Sequence, residues 1–302
     1  MENIVLIKNL FFKYSKEAIL TNLNLKIKKG SIFGLVGKNG AGKTTLLEIM
    51  MGLIKAEKGK IKICGYEDSD IFKDKIGFLP EKPYYHQEFK LKEYLIYLGK
   101  ISSKTIKESE IDKIIELTYL DDFKDYYLKD FSKGMLQRVG LAQTILEKPD
   151  LLILDEPLSG LDPVGQDKLR RITLNANNEG TSVFITSHNI HEIKRVCDNI
   201  GILHNGKVKM ISEDLIEEDK YYHIEFKSSI KEKNLEKNFS AQKINIENNK
   251  LKFPVKEKEL YFRLMDFLAK RRIEIEKLEI SSAGVEKVIL DHLNEGDGNN
   301  GE

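Results

Sequence analysis

SIFGLVGKNGAGKTTLLEIMMGL, residues 31–53, joins a short apolar run to a helical one through a glycine-rich loop. Residues 31–36 read as a buried strand bounded by Gly30 and Gly37, and residues 43–53 as a helix. Between them, residues 37–44 (GKNGAGKT) fit the phosphate-loop pattern G-x-x-x-x-G-K-[S/T], in the strand-to-helix setting that gives the pattern its meaning. The backbone of Gly37, Asn39, Gly40, Ala41 and Gly42 can turn its N–H groups toward phosphate oxygens, and the helix start adds favourable potential. Lys43 is placed to neutralise β- and γ-phosphates, and the Thr44 hydroxyl to ligate Mg2+. An α/β fold with a nucleotide site follows.

A second stretch, FSKGMLQRVGLAQTILEKPDLLILDEPLSGLD at residues 131–162, bears on how the nucleotide is used. A Ser-x-Gly loop at Ser132–Gly134 opens a helix. Residues 151–154 form an apolar strand that delivers Asp155 and Glu156. Consecutive strand residues point to opposite sides, so the two carboxylates can take different roles. Asp155 is expected to hold Mg2+, directly or through water, and Glu156 to orient or deprotonate the attacking water. His188 ends another strand, SVFITSH, where it can reach a γ-phosphate and the catalytic carboxylate. His86, His191, His204, His223 and His292 read as structural or solvated.

Outward from these motifs, Ile4 and Leu6, then Leu23, Leu25 and Ile27, alternate with polar neighbours as in half-buried strands. Short strands are expected at 60–64, 75–79, 182–186 and 199–203. From Leu91 to Lys129 the pattern is helical, with one apolar face at Leu91, Tyr94, Leu95 and Leu98 and another at Ile111, Ile114, Ile115 and Leu117. The expected architecture is a mixed-sheet α/β core with an antiparallel β subdomain and a helical lobe at about 88–145, all within residues 1–215. The charged run 214–220 reads as a linker or short helix. Beyond it, strands at 222–226, 243–247 and 250–255, a turn at Asn248-Asn249, and a helix with Leu260, Leu264, Phe267 and Leu268 are expected. A strand at 272–280 and a helix at 285–293 complete a small α+β domain over 220–294, with residues 295–302 as a disordered tail.

The 302 residues suffice for both domains. A net charge of +1 gives no electrostatic case for bulk nucleic-acid binding. Cys64 and Cys197 lack zinc-ligand spacing and read as buried apolar residues in a reducing compartment. No apolar run approaches the roughly 20 residues of a membrane helix, and the first residues lack the features of a signal peptide. Any link to a membrane is therefore expected to run through a partner.

Taken in order, Tyr14, the phosphate loop, the LPE turn at 79–81, the helical insert, SKGM at 132–135, LLILDE at 151–156, SGLD at 159–162 and His188 resemble the ATP-binding subunit of ABC transporters over about residues 2–212. The resemblance implies a Mg2+-dependent ATPase of P-loop NTPase fold, working as a head-to-tail homodimer. Each ATP would lie between one subunit's phosphate loop and the other's signature loop. By the same resemblance Tyr14 stacks on adenine, and Gly40, Gly42, Lys43, Thr44 and Thr45 hold phosphates and Mg2+. Ser132 and Gly134 meet the γ-phosphate in trans, Asp162 connects the two sites, and His188 senses the γ-phosphate. Glu81 stands where many members carry a glutamine that reaches Mg2+ and water. A membrane permease would dock on residues 80–87 and the helical lobe, holding the subunit at the cytoplasmic face of the membrane. Tyr84 and Tyr85 are candidate anchors there, or else core of the lobe.

Four positions depart from the family's commonest forms. Lys133 and Met135 replace Gly and Gln of the signature, Glu81 replaces Gln, and Leu158 replaces Thr. Ser132 and Gly134, the residues suited to phosphate contact, are retained. The C-terminal domain resembles the accessory domain of some drug- and peptide-exporter ATPases, with a role in dimerisation, regulation or subunit binding left open. The expected function is the motor of a transporter, an exporter with a separate permease. The alternative, a soluble ABC-type ATPase acting on nucleic acid or ribosomes, fits less well with one cassette and a near-neutral charge.

Overall fold

The computed structural model describes residues 2–67, 69–102, 104, 106–211, 220–227, 245–247, 249–255, 258–271 and 273–282. Residues 214–219 of the expected linker at 214–220, Asn248 of the expected turn, the helix at 285–293 and the tail at 295–302 lie outside these residues. The chain divides into two compact units, Met1–Ile211 and Ser212–Glu302.

The first unit is built on a six-stranded sheet. Strands β3 (Ile32–Val36), β5 (Ile76–Leu79), β6 (Leu151–Leu154), β7 (Ser182–Ser187), β8 (Asn199–His204) and β9 (Lys207–Ile211) lie in the order β5-β6-β7-β3-β8-β9. All neighbours are parallel except β9, which pairs antiparallel with β8. Every residue of β3, β6 and β7 is buried, as expected of central parallel strands covered on both faces. β3 and β6 therefore carry no polar side chain, while β7 buries Ser182, Thr186 and Ser187 around its apolar centre. Their C-terminal ends lie side by side and carry the phosphate loop, Asp155 and His188.

An antiparallel sheet, β2-β1-β4, is formed by β1 (Asn3–Tyr14), β2 (Glu17–Lys28) and β4 (Lys58–Ile63). Leu23, Leu25 and Ile27 are buried as their alternation predicts. Strand β1 departs from expectation. Val5 and Ile7 share the inward face, whereas Leu6 is half-buried and pairs across to Lys26 and Lys62. Asn9, at a φ of 51°, marks a register shift, after which Leu10 and Phe12 are buried. A bulge resets the side-chain phase, which simple alternation does not register. These strands pack with Leu46 and Leu47 of α1 (Lys43–Met50), Ile153 and Phe184 into one core. Helix α1 is shorter than the expected 43–53. Gly52 takes a φ of 70° and Leu53 is exposed.

After the four-residue α2 (Ser69–Phe72), the helical lobe contains α3 (Leu91–Ile101), α4 (Glu108–Leu117) and α5 (Lys133–Ile145). Leu91, Tyr94, Leu95, Ile111 and Ile115 form its core with Leu128, Phe131, Val139 and Leu146, while Leu98 and Ile114 pack partly buried against them. Arg138 of α5 is buried, and its guanidinium donates to the carbonyls of Thr118 and Tyr119 just past the end of α4. A cation there complements the helix dipole and the unpaired terminal carbonyls. Helices α6 (Pro163–Asn178) and α7 (Ile190–Ile193) complete the unit.

In the second unit, β10 (Lys220–Phe226), β11 (Asn245–Glu247), β12 (Lys250–Pro254) and β13 (Ile275–Ser282) form an antiparallel sheet in the order β11-β12-β10-β13. The register pairs Glu247 with Lys250, as a tight hairpin at this point requires. Helix α8 (Lys258–Lys270) packs Leu264, Phe267 and Leu268 against Ile224, Phe226, Leu251 and Phe253. The last strand begins later and ends later than the expected 272–280. Its Leu278 and Ile280 are exposed.

Candidate nucleotide site

Strand β3 delivers the loop, and Gly37 N–H donates to Ser187 O at 3.2 Å, tying it to β7. Gly42 precedes α1 at a φ of 101°, and a Cβ there would lie 2.9 Å from Ile19 Cγ2. Both the backbone angle and the packing under β2 require glycine. No side chain caps α1, and its first turn holds no acidic residue. Its N-terminal N–H groups and dipole are thus presented to an anion. Thr44 is exposed, whereas Lys43 and Thr45 are buried. Lys43 Nζ donates to Gly37 O at 2.7 Å, which holds the ammonium over the loop.

Glu156 sits opposite. Its Oε1 faces Lys43 Nζ at 3.2 Å as an ion pair but makes no hydrogen bond. Its Oε2 is 2.8 Å from His188 Nδ1 and accepts from His188 backbone N–H at 3.2 Å. A carboxylate can only accept, so this contact places the proton on Nδ1. Glu156 takes a φ of 47°, in the left-handed region. Such strain in a non-glycine residue collects at functional sites.

Thr186 holds this turn in place. Parallel pairing aligns Leu154 with Ile185, so the next residues, Asp155 and Thr186, adjoin. The Thr186 hydroxyl donates to Asp155 Oδ1 at 2.6 Å and accepts from Glu156 N–H at 3.0 Å. Thr186 is fully buried, and the sequence reading passed over it as one more β-branched strand residue. Its position two residues before His188 was the available signal. Burial pushes the Asp155 carboxyl above its ordinary value; the Thr186 bond opposes this, Glu156 and Glu81 add to it, and Lys43 offsets part.

Phosphate loop and carboxylates enclose a cleft of about 320 Å3. Lys38, Asn39, Gly40 and Gly42 line one side with Lys43, Thr44 and Thr45; Glu81, Asp155 and Glu156 line it too, as does Ile19. Three carboxylates against the ammonium groups of Lys38 and Lys43 still leave negative charge that a divalent cation would offset. Among the described residues no three His, Cys, Asp or Glu form a closed metal cage. A hydroxyl and carboxylates in an open set, completed by phosphates, suit Mg2+.

Other expected site residues lie outside this lining. Tyr14 is half-exposed, edge-on to Phe12 with ring centroids 4.8 Å apart. Ser132 is exposed and caps α5, its oxygen accepting from Met135 N–H at 3.3 Å while its O–H remains available to donate. Gly134 is half-buried in the first turn of α5. Asp162 caps α6, accepting from Gly165 N–H at 2.8 Å, an intrachain role the sequence reading did not assign. The paired tyrosines separate. Tyr84 is 85% exposed, whereas Tyr85 is buried and donates to Leu136 O at 2.7 Å. Tyr85 therefore belongs to the lobe core and is not a surface anchor.

The ABC transporter family model matches residues 20–159. The bacitracin transport ATP-binding protein BcrA of Bacillus licheniformis is 35% identical over 237 residues, covering 76% of this chain and 76% of that protein. The chain belongs to the ABC transporter family. This ATP-binding subunit is also 32% identical over 298 residues to an ABC transporter ATP-binding protein of Bacillus subtilis, YcbN, covering 96% of this chain and 90% of that one. That similarity extends through the second unit. Across its curated relatives the ABC subunit spans from 57% to 90% of their length. A solved structure of an ABC transporter ATP-binding subunit superposes with a TM-score of 0.63 at 28% identity, over 70% of this chain and 91% of that one. The fold is thus the mixed α/β P-loop NTPase fold of ABC ATPases. The chain is an ATP-binding subunit whose family hydrolyses ATP to power transport through membrane partners. Among the described residues no helix is long and apolar enough to cross a membrane.

Proposed function

We propose that this subunit hydrolyses ATP with Mg2+ and so drives a separately encoded permease, as an exporter, from the cytoplasmic face of the membrane. The observation that carries the reading is Glu156, held between Lys43 and His188 beside the phosphate loop. The loop backbone and Lys43 bind the β- and γ-phosphates. When the Lys43 ammonium turns to those phosphates, Glu156 Oε1 is released to a water. That water attacks the γ-phosphorus in line, the bond to the ADP oxygen breaks, and Glu156 takes the water's proton. His188 keeps Oε2 engaged and orients the carboxylate. Thr44 and Asp155, with Glu81, would hold Mg2+. The cation, when bound, neutralises charge on the phosphate oxygens. Tyr14 offers its half-exposed ring to adenine.

Two subunits would close head-to-tail, Ser132 and Gly134 of each reaching the other's γ-phosphate, with Asp162 connecting the sites. Closure on ATP and opening after hydrolysis then supply a two-state drive. The permease would dock at Tyr84 and the adjoining lobe. BcrA is named for bacitracin transport, which makes peptide-like cargo the first class to test. Purified protein should turn over ATP with Mg2+ and stop on addition of EDTA, and a polytopic protein encoded beside it should co-purify. Turnover that persists in EDTA would remove the metal reading, and a failure of the neighbouring polytopic protein to bind would remove the permease reading.

A further inference from the structure

The unusual signature residue Lys133 is bound to a second motif. Its Nζ donates to Ser159 O at 2.8 Å, across the first turn of SGLD. The side chain lies along Gly160: a Cβ there would stand 2.5 Å from Lys133 Nζ, 3.6 Å from Cε and 3.9 Å from Cδ. Gly160 also has a φ of 70°. The backbone angle favours glycine at this position, and the missing Cβ leaves room for the lysine tip to lie against the turn. The two loops touch again where Leu161 Cδ2 lies 3.6 Å from the position of a Cβ on Gly134. The SGLD turn starts directly from the catalytic strand end, since Ser159 N–H donates to Glu156 O at 3.1 Å and Leu161 N–H to Leu158 O at 3.3 Å.

We propose that Lys133 is a positioning residue that fastens the SGLD turn to the first turn of α5. Ser132 and Asp162, the residues that would face a second copy's nucleotide, are then presented as one piece, joined through the turn to Glu156. A glycine at position 133 cannot make this link. The ammonium-to-carbonyl bond is charge-assisted, stronger than a neutral one, but it is exposed, so its contribution is modest. Its effect falls on the order of the two loops before the dimer closes. The functional half of this proposal rests on the nucleotide-sandwich reading above.

Hydrogen exchange of the full-length chain without nucleotide tests the fastening directly. In Lys133→Met, amides of residues 158–162 should exchange about fivefold faster, the scale set by one lost hydrogen bond. Lys133→Arg, which keeps a donor, should restore protection, and residues 37–45 should not change in either variant. In a Glu156→Gln background, Lys133→Met should then require about fivefold more ATP to form the dimer, and Lys133→Arg should not. Unchanged exchange at 158–162 in Lys133→Met overturns the fastening. Faster exchange with an unchanged ATP requirement overturns its role in closure. If Glu156→Gln alone forms no dimer with ATP, the sandwich reading fails, while exchange still decides the fastening.

Discussion

Asp155 and Glu156 are 6% and 7% exposed, and every contact they make is supplied by their own chain. Ser132, on the same sequence stretch, is exposed and accepts from an N–H of its own helix. One end is thus a preassembled half-site, with carboxylates, ammonium and hydroxyl in contact. The other is a prepared surface: a helix N-terminus with a hydroxyl able to donate and no anion from this chain. The difference supports the proposed division, in which each subunit builds its own phosphate-binding half and a second copy would complete the site.

Substitutions at the two ends should therefore separate binding from turnover. At the finished end, Lys43→Met should lower kcat/KM by about 1,000-fold, because the phosphates lose the buried ammonium beside the loop. Thr186→Val keeps the shape of β7 but leaves Asp155 Oδ1 and Glu156 N–H without this partner. An activity loss of about 10- to 100-fold with a raised Mg2+ requirement should follow, and Thr186→Ser should recover most of it. At the prepared end, Ser132→Ala should leave ATP binding by the monomer intact while turnover drops about tenfold. Weakened binding by the monomer would break the comparison.

Smaller effects sharpen the same contrast in the lobe. Arg138→Met leaves the carbonyls after α4 unpaired and should cost about 1–3 kcal/mol, read as a lower melting temperature. Tyr85→Phe should cost about 1 kcal/mol through the lost bond to Leu136 O. Tyr84→Ala should stay within about 0.5 kcal/mol of wild type in stability and act only on permease binding.

The finished end was the more legible in sequence, because its elements are continuous runs with motifs at their ends. The central strands 32–36 and 151–154 read directly, as apolar residues buried on both faces must. What escaped depended on contacts between elements. Thr186 matters because β6 and β7 pair in one particular register. Tyr84 and Tyr85 are adjacent and chemically alike, and only the approach of α5 decides which one is core. Leu6 was placed on the inner face because alternation ignores the register shift between Asn3 and Val5, after which Val5 and Ile7 are the buried residues. Strand β9 was missed because it is a short edge strand with no fully buried residue, although Asn205-Gly206, with φ values of 46° and 72°, carried the hairpin signal. Arg138 gave no periodic signal, since its partners are backbone carbonyls just past the end of α4.

The most direct test of a catalytic carboxylate completed in trans is Glu156→Gln, followed by ATP turnover and by size in solution with and without ATP. Turnover should fall by at least about 100-fold, and ATP should now hold the protein as a dimer. Unchanged turnover would contradict the assignment of Glu156, and lost turnover with a persistent monomer would contradict completion by a second copy.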